Sequence, residues 1–267
     1  MLEVTGLTIA NKDRLIVDGI SFTITRGEWY ALVGESGSGK SVTALSIGGI
    51  LPASLQLKAG SILLKGLDML EMKKTCLLGH TISYIFQDYQ SSFTPFMKIG
   101  KQFEEVLRAH TSWTATEREM RSLAALKKVK LPEKKVYQSY PFQLSGGQLQ
   151  RAAIAIAMML KPSLLIADEV TTALDSVTAH HILELLNEMV RETNCSLLFI
   201  THDLRKVKKY ADRIGVMEEG KIVESGVARE ILTKPSHPYT KLLLQSLPNL
   251  PETRHRLWTR EMEEKGQ

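Results

Sequence analysis

The chain of 267 residues is poor in cysteine: its two, Cys76 and Cys195, lie far apart and show no metal-ligand spacing. That argues against a disulfide framework or a zinc cluster and predicts a reducing, cytosolic setting. No basic-then-apolar leader is expected, since Met1-Leu2-Glu3-Val4-Thr5 carries neither part of one. No apolar run approaches bilayer length; the longest, Ala152 to Leu160, stops at Lys161-Pro162. Charge of one sign is not concentrated either. The formal net charge is +5, but the basic residues are scattered, and the short runs Lys127-Lys128, Lys134-Lys135 and Lys208-Lys209 read as solvated faces. Charge alone decides nothing here; no nucleic-acid partner is expected. The remaining balance, 43% hydrophobic and 24% charged, suits a globular chain large enough for one sizeable domain or two lobes.

Against these absences stands one dense stretch, Gly34-Glu35-Ser36-Gly37-Ser38-Gly39-Lys40-Ser41. It follows the apolar run Trp29 to Val33, a buried parallel strand by pattern, and precedes Val42 to Ile47, a helix start. Strand, glycine-rich loop, Lys-Ser and helix form a phosphate-binding P-loop. Glycines let successive N–H groups converge on one concavity, and the helix N-terminus adds partial positive charge there. Lys40 is expected to reach the outer phosphates of a nucleotide, and the Ser41 hydroxyl to join a Mg²⁺ shell. A loop that only turns the chain would need the glycines but not Lys-Ser at the helix start.

Before this loop, Leu2 to Thr25 alternates like strands, and Gly60 to Leu64 reads as another, predicting a small antiparallel sheet beside the nucleotide core. Thr81 to Phe86 is a second buried strand and delivers Gln87-Asp88 at its carboxyl end, where ligands bind in α/β sheets. Gln87 can offer an amide oxygen to Mg²⁺ and hydrogen-bond to water, although alone it would be an ordinary loop residue. From Ile99 to Val129 the pattern turns helical, with Phe103, Val106 and Leu107 on one face and Leu123 and Leu126 opening a second. In Gln143-Leu144-Ser145-Gly146-Gly147-Gln148, Ser145 and Gln148 have the form of a capping box ahead of a helix from about Leu149 to Leu160. The capping box leaves Gly146-Gly147 unexplained, because glycines weaken a helix start, whereas they permit close approach to an anion.

Leu164 to Ala167 is an apolar strand ending in Asp168-Glu169. Neighbouring strand residues face opposite ways, so the two acids can take different tasks: Asp168 holding Mg²⁺ through water, Glu169 polarising the attacking water. Such a pair is commonly only solvated, but downstream of a P-loop it gains catalytic weight. Thr171 to Asp175 turns into a helix from Ala179 to Glu192. Ser196 to Thr201 is the next buried strand and ends in His202-Asp203, which places His202 on the same sheet edge as Gln87, Asp168 and Glu169. Arg213 to Val216 and Lys221 to Glu224, joined by Glu219-Gly220, read as a hairpin.

With these residues assembled, the chain resembles the ATP-binding subunit of an ABC transporter from Leu2 to about Pro248. The resemblance rests on Walker A at Gly34–Ser41, a Q-loop at Gln87, the signature Leu144-Ser145-Gly146-Gly147-Gln148, Walker B at Leu164–Glu169, a D-loop at Ala173-Leu174-Asp175 and an H-loop at His202. It implies an α/β P-loop NTPase (RecA-like) core, residues 1–87 and 161–231, with an antiparallel β subdomain. It also implies an inserted helical signature subdomain at 88–160 and a C-terminal extension at 232–267. Such subunits pair head to tail, so that ATP lies between Lys40 of one and Ser145, Gly146, Gly147, Gln148 and Asp175 of the other. Glu169 would act as base, His202 would steady the γ-phosphate and water, and Gln87 would complete the catalytic set, with Ser41, Gln87 and Asp168 around Mg²⁺. Movement would pass to the membrane partner through the groove near Gln87 to Phe103.

Within the family, Ile85-Phe86-Gln87-Asp88 with Phe93-Thr94-Pro95, and the tail Lys234-Pro235-Ser236-His237-Pro238-Tyr239-Thr240, resemble the peptide and nickel importers. No cysteine follows Cys195, so the iron–sulfur tail of many oligopeptide members is expected to be absent, pointing to nickel or another chelated metal, or to short peptides. The resemblance implies two permease subunits, a second and related ATP-binding chain, an extracytoplasmic solute-binding protein acting indirectly, and a peripheral place on the cytoplasmic face of the membrane. The alternative is a non-transport ABC ATPase of a soluble complex such as one degrading phosphonates, which shares the His-Pro-Tyr-Thr tail. Chromosome-type members need long insertions between Walker A and the signature, and none is present. Two departures stand out: Asn11 occupies the place of the usual adenine-stacking aromatic residue, and Val170 stands where proline usually follows the Walker B glutamate.

Overall fold

The structure, a computed structural model, describes residues 1–246 except 13, 70, 72–77 and 173. Expectations placed on Cys76, on Ala173 of the D-loop and on positions 247–267 of the C-terminal extension therefore lie outside the described residues. Two sheets organise the chain. The strands β1 (Leu2–Asn11), β2 (Arg14–Ile24), β4 (Gln56–Leu64) and β5 (Leu67–Asp68) form an antiparallel sheet in the order β2-β1-β4-β5. The second sheet holds β3 (Trp29–Val33), β6 (Ile82–Ile85), β7 (Leu164–Asp168), β8 (Ser196–Thr201), β9 (Arg213–Glu218) and β10 (Lys221–Val227). Its order is β10-β9-β3-β8-β7-β6, parallel from β9 to β6, with only β10 antiparallel. This is a mixed α/β architecture, as the resemblance implies.

The sequence pattern explains which strands sit where. Every residue of β3, β7 and β8 is buried, because both faces of the larger sheet are covered. Alternate side chains enter two separate cores. Trp29, Ala31, Leu165, Ala167, Leu197 and Phe199 face one, and Tyr30, Leu32, Leu164, Ile166, Leu198 and Ile200 face the other. The second core is closed by α1 (Lys40–Ile47) and by the inward residues of the antiparallel sheet, among them Leu2, Ile9, Ile24 and Ile62. Strand β4 starts at Gln56, earlier than the apolar run Gly60 to Leu64 suggests, because backbone pairing with β1 continues to Gln56 opposite Ala10.

The first core is covered by helices. These are α2 (Ile99–His110), α3 (Ala115–Lys128), α4 (Glu133–Gln138) and α5 (Gly146–Met158), followed by α6 (Ser176–Thr193), α7 (Leu204–Tyr210), α8 (Ala228–Thr233) and α9 (Pro238–Gln245). Phe103, Leu107 and Leu126 are fully enclosed, so the periodic apolar faces of this stretch meet one another and the sheet. Helix α6 begins at Ser176, three residues before the sequence pattern suggests. Asp175 caps it, its carboxylate accepting from the Val177 and Thr178 amides at 3.0 Å each. Among the described residues no helix is long and apolar enough to cross a membrane.

Cys195 immediately precedes β8 and is 1% exposed. Burial pushes its thiol up to about 12, so almost no thiolate is available at neutral pH. Iodoacetamide at pH 7.5 is therefore expected to label Cys195 only after unfolding; peptide mapping that finds ready labelling of the native chain would contradict the burial.

Candidate functional site

Strand β3 runs straight into Gly34–Ser41, and α1 starts within that loop, at Lys40. No side chain caps α1, so its first N–H groups have no partner from a cap and are available to an anion. The loop is tightly enclosed. Gly39 has φ 103°, and a Cβ there would stand 2.7 Å from the Ile16 carbonyl oxygen of β2. Glu219 and Gly220, both with positive φ, make the two-residue turn between β9 and β10. The Gly220 amide donates to the Ser38 carbonyl at 3.1 Å, which brings this turn against the loop.

Lys40 is 4% exposed and folds back on the loop, its ammonium donating to Gly34 O at 2.9 Å, Glu35 O at 2.7 Å and Ser38 Oγ at 3.2 Å. Burial draws its pKa below the ordinary lysine range, while Glu169, Asp168 and Glu35 oppose the shift. An arriving polyphosphate would meet a cation already held in place by the loop's own carbonyls.

Strand β7 delivers the two carboxylates. Asp168 accepts from Ser41 Oγ at 3.1 Å and from Tyr84 Oη at 3.0 Å. Burial raises the Asp168 pKa against the pull of these two hydrogen bonds. Burial also raises that of Tyr84, helped by Asp168, so the phenol stays a donor. Glu169 takes the left-handed conformation, φ 46°, while its amide still donates to the Ile200 carbonyl at 3.0 Å. A non-glycine residue held there costs on the order of 1–3 kcal/mol. The turn sends its carboxylate toward Gln87 Nε2 (3.1 Å), Thr172 Oγ1 (3.2 Å) and His202 Nδ1 (3.2 Å). Val170, in the usual proline position, is buried, and its carbonyl accepts from the Gln150 side chain.

These groups border a cavity of about 760 Å³. Ser36, Gly37, Gly39, Lys40 and Ser41 line it with Gln87 and Glu169, whereas Gly34, Glu35 and Ser38 shape the loop from outside the lining. Asp168 and His202 reach it through Ser41 and Glu169. The opposite wall holds Asn11 with Arg14, Leu15 and Ile16 of the first hairpin. Arg14, Leu15, Ile16, Tyr84 and Thr172 escape the sequence reading. Thr172 is set by the local turn after Glu169, and the others become visible only when folding places distant segments side by side.

The Ser145 stretch forms a different place. Ser145 caps α5 reciprocally with Gln148, the Gln148 amide reaching Ser145 Oγ at 3.3 Å and the Ser145 amide reaching Gln148 Oε1 at 3.0 Å. The helix therefore starts at Gly146, earlier than the apolar pattern from Leu149 suggests, and both glycines lie in its first turn. A second cavity of about 750 Å³ is lined by Ser145, Gly146, Gly147, Arg151, Asp175 and His181 among others, and shares no lining residue with the first. Gln148 is occupied by the cap and does not line it.

A P-loop beside a strand that leads into Asp168-Glu169, among the parallel strands of the larger sheet, defines a nucleotide-binding protein of the P-loop NTPase class. Residues 17–172 match the family described as "ABC transporter", and residues 223–266 match "Oligopeptide/dipeptide transporter, C-terminal region". The chain belongs to the ABC transporter family. It is 45% identical to the peptidoglycan transport ATP-binding protein YejF of Agrobacterium fabrum over 93% of its own length, but spans only 47% of that protein. It is 44% identical to the dipeptide transport ATP-binding protein DppD of Haemophilus influenzae, covering 96% of this chain and 80% of the relative. Identity is 40% to the metal-staphylopine import system ATP-binding protein CntD of Staphylococcus aureus, over 92% and 93% respectively. Among solved structures it is similar to a dimeric ATP-binding cassette in a post-hydrolysis state bound to ADP and Pi, with TM-score 0.74 and 26% identity over 86% of this chain and 99% of that one.

Proposed function

We propose that this chain is the ATP-hydrolysing subunit of an importer for di- or oligopeptides, nickel or another chelated metal. The observation that carries the reading is the separation of two half-sites. The P-loop cavity holds Lys40, Glu169 and, through Glu169, His202, while Ser145, Gly146 and Gly147 line a cavity of their own. Each is incomplete alone, and a second ATP-binding chain set head to tail would join them. The dimeric form of the similar cassette supports this arrangement. The names of DppD and CntD support the two substrate classes. The soluble-complex alternative gains no support from these relatives.

In this reading Lys40 and the α1 N-terminus bind the triphosphate, and Glu169 takes a proton from the attacking water while His202 and Gln87 orient the carboxylate. Ser41 and Asp168 would hold Mg²⁺, with Gln87 as a further oxygen donor. Two oxygen ligands already 3.1 Å apart suit a hard divalent cation. When bound, that ion neutralises phosphate charge. Ser145, Gly146, Gly147, Gln148 and Asp175 serve the partner's nucleotide. The division into residues 1–87 with 161–231, 88–160 and 232–267 belongs to the same proposal, the middle segment moving as the signature-bearing unit.

Permease docking is assigned to the groove of about 420 Å³ bordered by Tyr89, Phe93, Gln102 and Val106; Phe96, two residues after its lining residue Thr94, is 88% exposed. The subunit would then work at the cytoplasmic face of the membrane, with two permease chains and, indirectly, a solute-binding protein. Uptake of a labelled dipeptide and of a nickel chelate by cells with and without this chain tests the assignment. Loss of one identifies the cargo class, and undiminished uptake of both, with no other importer substituting, would overturn it.

A further inference from the structure

The His-Pro-Tyr segment ends against the nucleotide loop. Tyr239, 204 residues after Glu35, accepts a hydrogen bond from the Glu35 amide through its phenol oxygen at 3.0 Å and is 8% exposed. On its other side the Glu35 carbonyl accepts from Lys40 Nζ at 2.7 Å and from the Ser38 amide at 3.2 Å. The Gly34–Glu35 peptide group is thus held at its N–H by the C-terminal segment and at its carbonyl by Lys40, which also holds the carbonyl of the next. The segment itself is anchored. Glu224 of β10 accepts from the Ser236 amide at 2.7 Å and the His237 amide at 3.2 Å. His237 Nδ1 then caps α9 by accepting from the Tyr239 amide at 3.3 Å, and Pro238 opens the helix. Burial raises the Tyr239 pKa, so the phenol remains neutral at physiological pH.

We infer that residues 236–239 brace the P-loop, with Tyr239 as a positioning residue that sets affinity for nucleotide rather than the rate of its hydrolysis. The inference rests on the P-loop reading above. Removing the phenol oxygen leaves the Glu35 amide without its partner and frees the loop entrance to reorient, so nucleotide must spend binding energy on ordering it. The link is reciprocal: whatever seats or displaces the His-Pro-Tyr segment shifts ATP affinity by the same factor by which ATP shifts that segment. The device is a clamp between the sheet edge at Glu224 and the loop at Glu35.

The test titrates MgATP into the full chain by calorimetry, for wild type, Tyr239→Phe, Glu224→Ala and Lys40→Ala. Tyr239→Phe keeps the packing and is expected to raise Kd about three- to tenfold. In the assembled complex KM should rise similarly while kcat stays near wild type. Glu224→Ala, which releases the anchor without touching the loop, should act in the same direction. A wild-type Kd for both variants alongside lost binding in Lys40→Ala would overturn the brace and leave the P-loop reading intact. Unimpaired binding by Lys40→Ala would overturn both. A lower Tm with unchanged Kd in Tyr239→Phe would also overturn it, since the residue would then only stabilise the fold.

Discussion

Glu169→Gln is expected to lower ATP hydrolysis by about 10²- to 10⁴-fold, the range for removing a general base, while leaving ATP binding intact. The replacement has the shape of the native side chain. Its amide oxygen can still accept from Thr172 and Gln87, whose donors lie at 3.2 and 3.1 Å, so the turn after β7 keeps its geometry. What it cannot do is take a proton from water. Because nucleotide then stays between the half-sites, the variant should persist as a closed ATP-bound dimer, visible as a shift in size-exclusion chromatography. Hydrolysis at the wild-type rate would show that the base lies elsewhere.

Lys40→Ala acts on the preceding step. Its ammonium donates three hydrogen bonds inside the loop and is nearly enclosed. Truncation removes the one cation of the loop and its hydrogen bonds to the Gly34 and Glu35 carbonyls, leaving the latter only the Ser38 amide. Charge-assisted hydrogen bonds of roughly 1.5–3 kcal/mol correspond to about a ten- to hundredfold loss of ATP affinity. Titration with a fluorescent ATP analogue measures it. Unchanged affinity would remove the P-loop from the nucleotide site.

The two variants separate binding from chemistry, and their positions show how much of the site is written locally. Gly34–Ser41, Asp168-Glu169 and His202 each stand at the carboxyl end of a short, wholly buried strand, so a largely apolar run ending in polar residues is enough to find them. The continuous burial of β3, β7 and β8 also signals a parallel sheet covered on both faces. Helix starts were harder to place. The onset of apolar periodicity marks Leu149 and Ala179, but capping by Ser145 and Asp175 begins the helices three residues earlier in each case.

Contacts between distant segments were not legible. Nothing in Ile82-Ser83-Tyr84-Ile85 distinguishes Tyr84 until β6 lies beside β7 and the phenol meets Asp168. The wall formed by Arg14, Leu15 and Ile16 exists because the β1–β2 hairpin reaches over the P-loop, where a Cβ on Gly39 would collide with Ile16. Tyr239 reads in sequence as part of a family tail, and only the fold brings it to Glu35. Asn11 does line the nucleotide cavity, but the sequence could not say that an arginine and two aliphatic residues accompany it there.

The central claim, that this chain drives a membrane importer as one half of an ATP-binding pair, is tested most directly by affinity purification of the full chain from detergent-solubilised membranes in MgATP, with partners identified by mass spectrometry. The account predicts recovery of two permease chains together with a second, related ATP-binding chain. Recovery of a soluble enzyme assembly with no membrane protein would contradict it.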